Sequence, residues 1–226
     1  CASDMVLGLM DQARALGLVV AGLSFHVGSQ TRQPQMWAGT LDHVSRLWHA
    51  ARAAGHDLKL LNIGGGFPAS YGADMMPAED YARTVMEMVT ARFGDVAEVM
   101  AEPGRGLVAE AGAIVAEVLL VSRKHDDDLH RWAYLDIGMF SGLAETMGEA
   151  IRYRITTDRD HEPTGPCILA GPSCDSADVL YERQPYQLPL GLQGGDRVVI
   201  HSCGAYTSTY STVGFNGFPP LDVVVI

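Results

Sequence analysis

The stretch Leu58-Lys59-Leu60-Leu61-Asn62-Ile63-Gly64-Gly65-Gly66 is a short apolar run that stops on three consecutive glycines. A run of this length, closed by a turn signal, reads as a buried strand. Glycines at its end let backbone N–H groups approach and cradle a phosphate, because no Cβ stands in the way. Upstream, Leu18 to Phe25 is a run of the same type and ends at His26. Downstream, Val96 to Ala101 ends at Glu102-Pro103-Gly104-Arg105. Helical patterns separate these runs. One spans Gln35 to Ala54 and stops at Gly55; another starts at Pro77 with Glu79 and Asp80 in its first turn, where the helix dipole favours acids. Ser3-Asp4 is expected to cap a first helix with apolar positions Met5, Leu9, Ala13 and Leu16.

Strands followed by helices at this spacing imply parallel βα units, which carry their functional groups at the C-terminal ends of the strands. A closed barrel of such units needs eight. This chain supplies three strands, so the pattern fits either part of a barrel or a small open α/β sheet. After Gly112 the texture changes. Ala113 to Val121, Trp132 to Ile137, Ile151 to Thr156, Cys167 to Ala170, Arg197 to Ser202 and Leu221 to Ile226 read as strands between polar turns. The expected organisation is α/β plus β, with a βα domain over 1–110 and a β-rich domain over 111–226.

Composition narrows the functional classes. A chain with 47% hydrophobic and 19% charged residues is that of a folded globular protein. A formal net charge of −11 argues against a nucleic-acid partner, which would demand clustered Lys and Arg, and suits a cationic small substrate. No apolar run approaches the roughly 20 residues of a membrane span, and a cytoplasmic location is expected. Cys1, Cys167, Cys174 and Cys203 show neither a CxxC pair nor metal-like spacing, so reduced thiols are expected. The run His125-Asp126-Asp127-Asp128-Leu129-His130 lies between two strand candidates and reads as a hairpin loop rather than a metal site.

Three strand ends in succession carry polar groups: His26 with Ser29, the Gly64-Gly65-Gly66 turn, and Glu102 with Arg105. A fixed carboxylate suits a cationic ring nitrogen, and a guanidinium suits an anion. Together they point to a phosphate-bearing heterocycle. The motifs His26-Val27-Gly28-Ser29-Gln30, Gly64-Gly65-Gly66-Phe67-Pro68, Glu102-Pro103-Gly104-Arg105-Gly106, Gly171-Pro172-Ser173-Cys174-Asp175-Ser176 and Gly204-Ala205-Tyr206-Thr207 follow in order. This ladder resembles the pyridoxal phosphate (PLP)-dependent basic amino-acid decarboxylases of the alanine-racemase fold, most of all ornithine decarboxylase. The resemblance runs on to Phe215-Asn216-Gly217-Phe218-Pro219-Pro220-Leu221.

The resemblance implies the C-terminal part of a PLP-binding, TIM-like (β/α)8 barrel followed by a β-rich domain. It also implies roles. His26 would stack on the pyridoxal 5′-phosphate ring and Ser29 would contact the cofactor nearby. The Gly64-Gly65-Gly66 turn, Gly104, Arg105 and Tyr206 would hold the phosphate end, and Glu102 would pair with the ring nitrogen. Cys174 would handle protonation after CO₂ leaves. Asp175, with Glu149 and Phe215, would receive the substrate's distal ammonium end, Cys174 and Asp175 entering the active site of the other subunit in a homodimer. Asp175 after the cysteine, where diaminopimelate decarboxylases usually have glutamate, favours ornithine, with lysine as the close alternative. Family members anchor PLP through a Schiff-base lysine on an early barrel strand. The only lysines here are Lys59 and Lys124, and neither matches it. The expectation is therefore a fragment of such an enzyme, inactive alone. The alternative is a non-catalytic relative that kept the fold for binding or regulation.

Overall fold

The computed structural model describes residues 1–94, 96 and 98–226. They fall into two units, Cys1–Pro68 with Asp74–Gly106, and Ala69–Ala73 with Leu107–Ile226.

In the first unit, α1 (Val6–Ala15), β1 (Gly22–Ser24), α2 (Trp37–Ala53), β2 (Leu60–Asn62), α3 (Ala78–Phe93) and β3 (Glu98–Met100) follow one another. The strands form one sheet in the order β1-β2-β3, with both pairings parallel. The helices are held by one apolar stripe each. Trp37, Leu41, Val44, Trp48 and Ala51 are the buried residues of α2, and Tyr81, Val85, Val89 and Phe93 those of α3, every step three or four residues. Trp48 meets Phe93 edge-on at 5.8 Å. Each such large side chain removed from water contributes about 1.5–3 kcal/mol.

The first helix departs from expectation in two ways. A 3-10 turn, Ser3–Met5, precedes it, and no side chain caps it, because the Ser3 hydroxyl instead pairs with His43 Nε2 at 2.6 Å. Its inward face is Val6, Leu7 and Met10, whereas Met5, Leu9 and Leu16 are exposed. Both stripes satisfy helical spacing, and only packing selects between them. The regular strands are also shorter than the apolar runs. Leu18 and Val19 are exposed and precede β1. Of the third expected strand, Glu98–Met100 is regular and Ala97 lies outside the described residues.

The second unit contains β4 (Ala113–Ser122), β5 (Arg131–Leu135), β6 (Ile155–Thr157), β7 (Thr164–Ala170), β8 (Val179–Leu180), β9 (Tyr186–Pro189) and β10 (Arg197–His201). They pair in the order β6-β10-β4-β5-β7-β8, with β9 also on β7. The β5–β7 pair is parallel and the others are antiparallel. In β4, Ile114, Ala116 and Val118 turn inward while Ala113, Val115 and Glu117 stay exposed, the period-two signature of a sheet with one buried face. The acidic run forms the connection between β4 and β5, closed by the His125 N–H donating to Asp128 Oδ2 at 2.9 Å.

Two expected strands are corrected. Ile151 to Arg154 is irregular, because Tyr153 N donates to Tyr181 Oη and Ile155 N to Tyr186 Oη, so side chains replace a ladder there. Leu221 to Ile226 forms no strand, and Val223, Val224 and Val225 are exposed. The short strands β8 and β9 escaped notice because Asp, Glu, Arg and Pro interrupt the apolar signal around them.

Candidate functional site

Because β1, β2 and β3 are parallel neighbours, their C-terminal ends lie side by side. Phe25 N donates to Asn62 O at 3.2 Å, Ile63 N to Met100 O at 2.8 Å, and Glu102 N to Gly64 O at 2.8 Å. The ladder therefore continues past each strand into the polar turns. It brings His26, Gly64-Gly65-Gly66 and Glu102 together.

The turn at 64–66 admits no side chain. Gly64 and Gly66 have φ of +71° and +97°. A Cβ on Gly64 would lie 1.9 Å from Phe25 O, and one on Gly66 would lie 2.2 Å from Gly28 O. At Gly65 it would approach Glu102 O at 2.9 Å and His26 Nε2 at 3.1 Å. Close approach of neighbouring main chain at all three positions, and positive φ at two of them, is what demands glycine in this turn. His26 Nδ1 accepts the Gly28 N–H at 2.9 Å, which places the neutral ring's proton on Nε2. Thr31 locks the same loop: its N–H donates to Gly66 O and its hydroxyl to Gly28 O, both at 3.0 Å. Behind it, Trp37 Nε1 donates to Tyr81 Oη at 2.8 Å, and Tyr81 Oη donates to Thr31 O at 2.5 Å. Burial raises the Tyr81 hydroxyl above the ordinary phenol range, so it remains a donor.

Asn62, which sequence reasoning passed over, connects the cradle to the carboxylate. Its Nδ2 donates to Glu102 Oε1 at 2.6 Å, and its Oδ1 accepts the Gly64 N–H at 2.8 Å. The available signal was an amide at the last strand position before the glycines. Arg105 follows on the β3 turn and is buried; Ser29 and Gly104 are exposed. These residue types suit PLP: a glycine turn, an imidazole beside it and a held carboxylate.

The second unit holds the remaining candidates. Cys174 is exposed in the Gly171–Asp178 loop and adopts φ +60°, a strained conformation for a residue with a side chain. Asp175 Oδ1 accepts the Ala177 N–H at 2.8 Å. The loop is organised by Asp178, also unforeseen. This carboxylate is 2% exposed and accepts from Met139 N at 2.7 Å, Ser173 Oγ at 2.6 Å and Ser173 N at 3.2 Å. A side chain on Gly171 would strike it at 2.3 Å. Asn216 Nδ2 donates to Ser173 O at 2.8 Å, bringing Phe215 to the same loop, where its ring lies 4.5 Å from that of Phe140. Glu149 Oε1 accepts the Arg183 N–H at 2.6 Å. Tyr206, at φ +56°, belongs to the turn after β10, its ring 5.5 Å from that of Tyr210.

Lys59 precedes β2, at the end of the strand opposite the glycine turn, and pairs with Asp57 at 3.0 Å. Lys124 Nζ lies over the Trp132 ring at 3.7 Å. Among the described residues there is no cluster of groups that could hold a metal ion. None of their helices is long and apolar enough to cross a membrane.

Residues 2–109 match the family model for the pyridoxal-dependent decarboxylase, pyridoxal binding domain. The chain is 31% identical over 217 residues to ornithine decarboxylase 2 of Drosophila melanogaster, covering 93% of this chain and 53% of that protein. It is 29% identical over 199 residues to diaminopimelate decarboxylase of Helicobacter pylori, covering 87% and 47%. The crystal structure of lysine/ornithine decarboxylase from Vibrio vulnificus complexed with cadaverine superposes with a TM-score of 0.84 at 33% identity, over 97% of this chain and 58% of that one. The chain thus spans about half the length of the curated relatives it matches. These matches select a barrel over an open sheet: the fold is part of a PLP-binding barrel followed by a β-rich domain. The chain belongs to the pyridoxal-dependent decarboxylase family.

Proposed function

We propose that the protein carrying this chain decarboxylates a basic L-amino acid, ornithine first and lysine as the close alternative, to its diamine. The observation that carries this reading is the linked set of strand ends, in which one glycine turn, one imidazole and one amide-held carboxylate meet. Bound there, PLP would supply an electron sink that lets CO₂ leave the α-carbon. His26 would cover the ring face, with Ser29 beside it. The glycine turn, Gly104, Arg105 and Tyr206 would neutralise and orient the phosphate. Glu102 would face the ring nitrogen with a negative charge and keep it protonated. Cys174 Sγ would hand a proton to the carbon that has lost CO₂. Asp175, one oxygen of which takes the Ala177 N–H, would offer the other to the distal ammonium. Glu149 and Phe215 would complete that pocket.

Relatives acting on ornithine, on lysine and on diaminopimelate bracket the substrate class. One methylene discriminates by only about 1–3 kcal/mol, so ornithine and lysine are near neighbours. Asp175 supports a plain ammonium tail over a zwitterionic one. By the same family resemblance we read the protein as a cytoplasmic homodimer with shared active sites and a lysine other than Lys59 or Lys124 as its anchor.

The test is product analysis with the full-length product of the gene, PLP, and L-ornithine, L-lysine, L-arginine or meso-diaminopimelate. Fastest release of putrescine and CO₂ from ornithine supports the reading, and faster cadaverine formation reassigns the substrate. Absence of product from all four would favour a non-catalytic relative.

A further inference from the structure

We propose that Asn62 is a positioning residue that sets the counter-charge for the cofactor's ring nitrogen and the phosphate turn with a single amide. The proposal rests on the PLP reading above. Asn62 closes β2, in register with Ser24 and Met100 on its two neighbours, and its side chain joins the glycine turn of its own strand to the carboxylate that follows β3. Three hydrogen bonds form a closed circuit: Asn62 Nδ2 to Glu102 Oε1, Glu102 N to Gly64 O, and Gly64 N to Asn62 Oδ1. The partners fix the amide's orientation, since an N–H needs the oxygen and a carboxylate needs the NH₂.

The circuit has a chemical consequence. Glu102 is an exposed, rotamer-rich side chain. Held at Oε1, it is ordered before any ligand arrives, so binding does not bear that entropy cost. An aspartate at 62 could still accept the Gly64 N–H but could not donate to Glu102. The two carboxylates would then repel, and Glu102 would lose the contact that orders it. Asparagine supplies the acceptor and the donor at once without a second negative charge.

The experiment titrates the full-length protein carrying this chain, stripped of PLP, with deoxypyridoxine phosphate, the PLP analogue that keeps the ring nitrogen and phosphate but lacks the aldehyde, so that no Schiff base forms. Affinity is read by equilibrium dialysis, and ring protonation by near-ultraviolet absorbance as pH rises. The wild type should bind and keep the ring protonated to higher pH than the free analogue. Asn62→Ala should bind about tenfold more weakly, as expected for one lost charge-assisted hydrogen bond. Asn62→Asp, which preserves shape and the Gly64 acceptor but not the donor to Glu102, should weaken binding at least as much. Asn62→Ala, with Glu102 no longer held, should lose the ring proton at lower pH than the wild type. In a Glu102→Gln background, where the amide at 102 can donate to the carboxylate introduced at 62, the Asn62→Asp loss of affinity should disappear. Wild-type affinity and an unchanged pH profile in both Asn62 variants would overturn the inference while leaving the cofactor reading intact. If the wild type itself fails to bind, the cofactor reading fails and the inference falls with it.

Discussion

Removing the Asp178 carboxylate should loosen the loop that carries Cys174. Asp178 accepts three hydrogen bonds in a buried site, two of them from the main-chain N–H groups of Met139 and Ser173. It also closes the loop through its own main chain, Gly171 N donating to Asp178 O at 2.9 Å and Asp178 N to Asp175 O at 3.0 Å. In Asp178→Ala both main-chain donors lose their acceptor. At about 1–3 kcal/mol for each orphaned donor, and with the Ser173 hydroxyl bond also lost, the variant should be about 3–5 kcal/mol less stable. Asp178→Asn keeps the shape but turns one acceptor into a donor against a donor, and should cost about 1–2 kcal/mol. The strained backbone at Cys174 persists only while its surroundings hold it, so the Ala variant should change the rate at which Cys174 is alkylated by iodoacetamide. Urea unfolding and peptide-mapped alkylation, both on the intact chain, check the two effects. Stability within about 0.5 kcal/mol of wild type, together with an unaltered Cys174 rate, would refute the reasoning.

Gly66→Ala places a methyl 2.2 Å from a main-chain oxygen at positive φ and should lower stability by at least about 1–3 kcal/mol, measured by thermal melting. Burial pushes the Cys203 thiol up to about 12 and raises Cys167 as well, so labelling of the native chain near neutral pH should modify Cys1 and Cys174 and spare the buried pair. The sign for stability follows: the neutral-thiol contribution is complete below the usual thiol range and is lost as pH climbs through the folded-state value, which an alkaline melting series should display. Arg159 holds Asp196 below the ordinary carboxylate range through a 2.8 Å contact. Any stability lost in Arg159→Gln should therefore be present at neutral pH and vanish as pH falls through the depressed value.

Parallel βα order was legible because buried strands leave short apolar runs and the connecting helices leave stripes at three-to-four spacing. Trp37, Leu41, Val44 and Trp48 are such a stripe, and all are buried. The first helix shows where periodicity gives out. Met5, Leu9 and Leu16 obey the same spacing as Val6 and Met10, and only the packed neighbours select the second set. Leu221 to Ile226 has a strand's composition and no strand, because a strand exists only through the partner it pairs with.

What the sequence by itself determined was the family, through a ladder of motifs in which glycines, carboxylates and an imidazole stand at the ends of apolar runs. Their identities and order carry the information, and the family model matches them over residues 2–109. Tertiary structure alone decided which side chains hold that chemistry in place. Asn62 and Glu102 are forty positions apart, as are Met139 and Asp178 to within one residue, and each pair meets at hydrogen-bond distance. An amide or a carboxylate in a sequence states what it can donate or accept. Its partner is chosen by strand register and burial, and that choice exists only once the chain has folded.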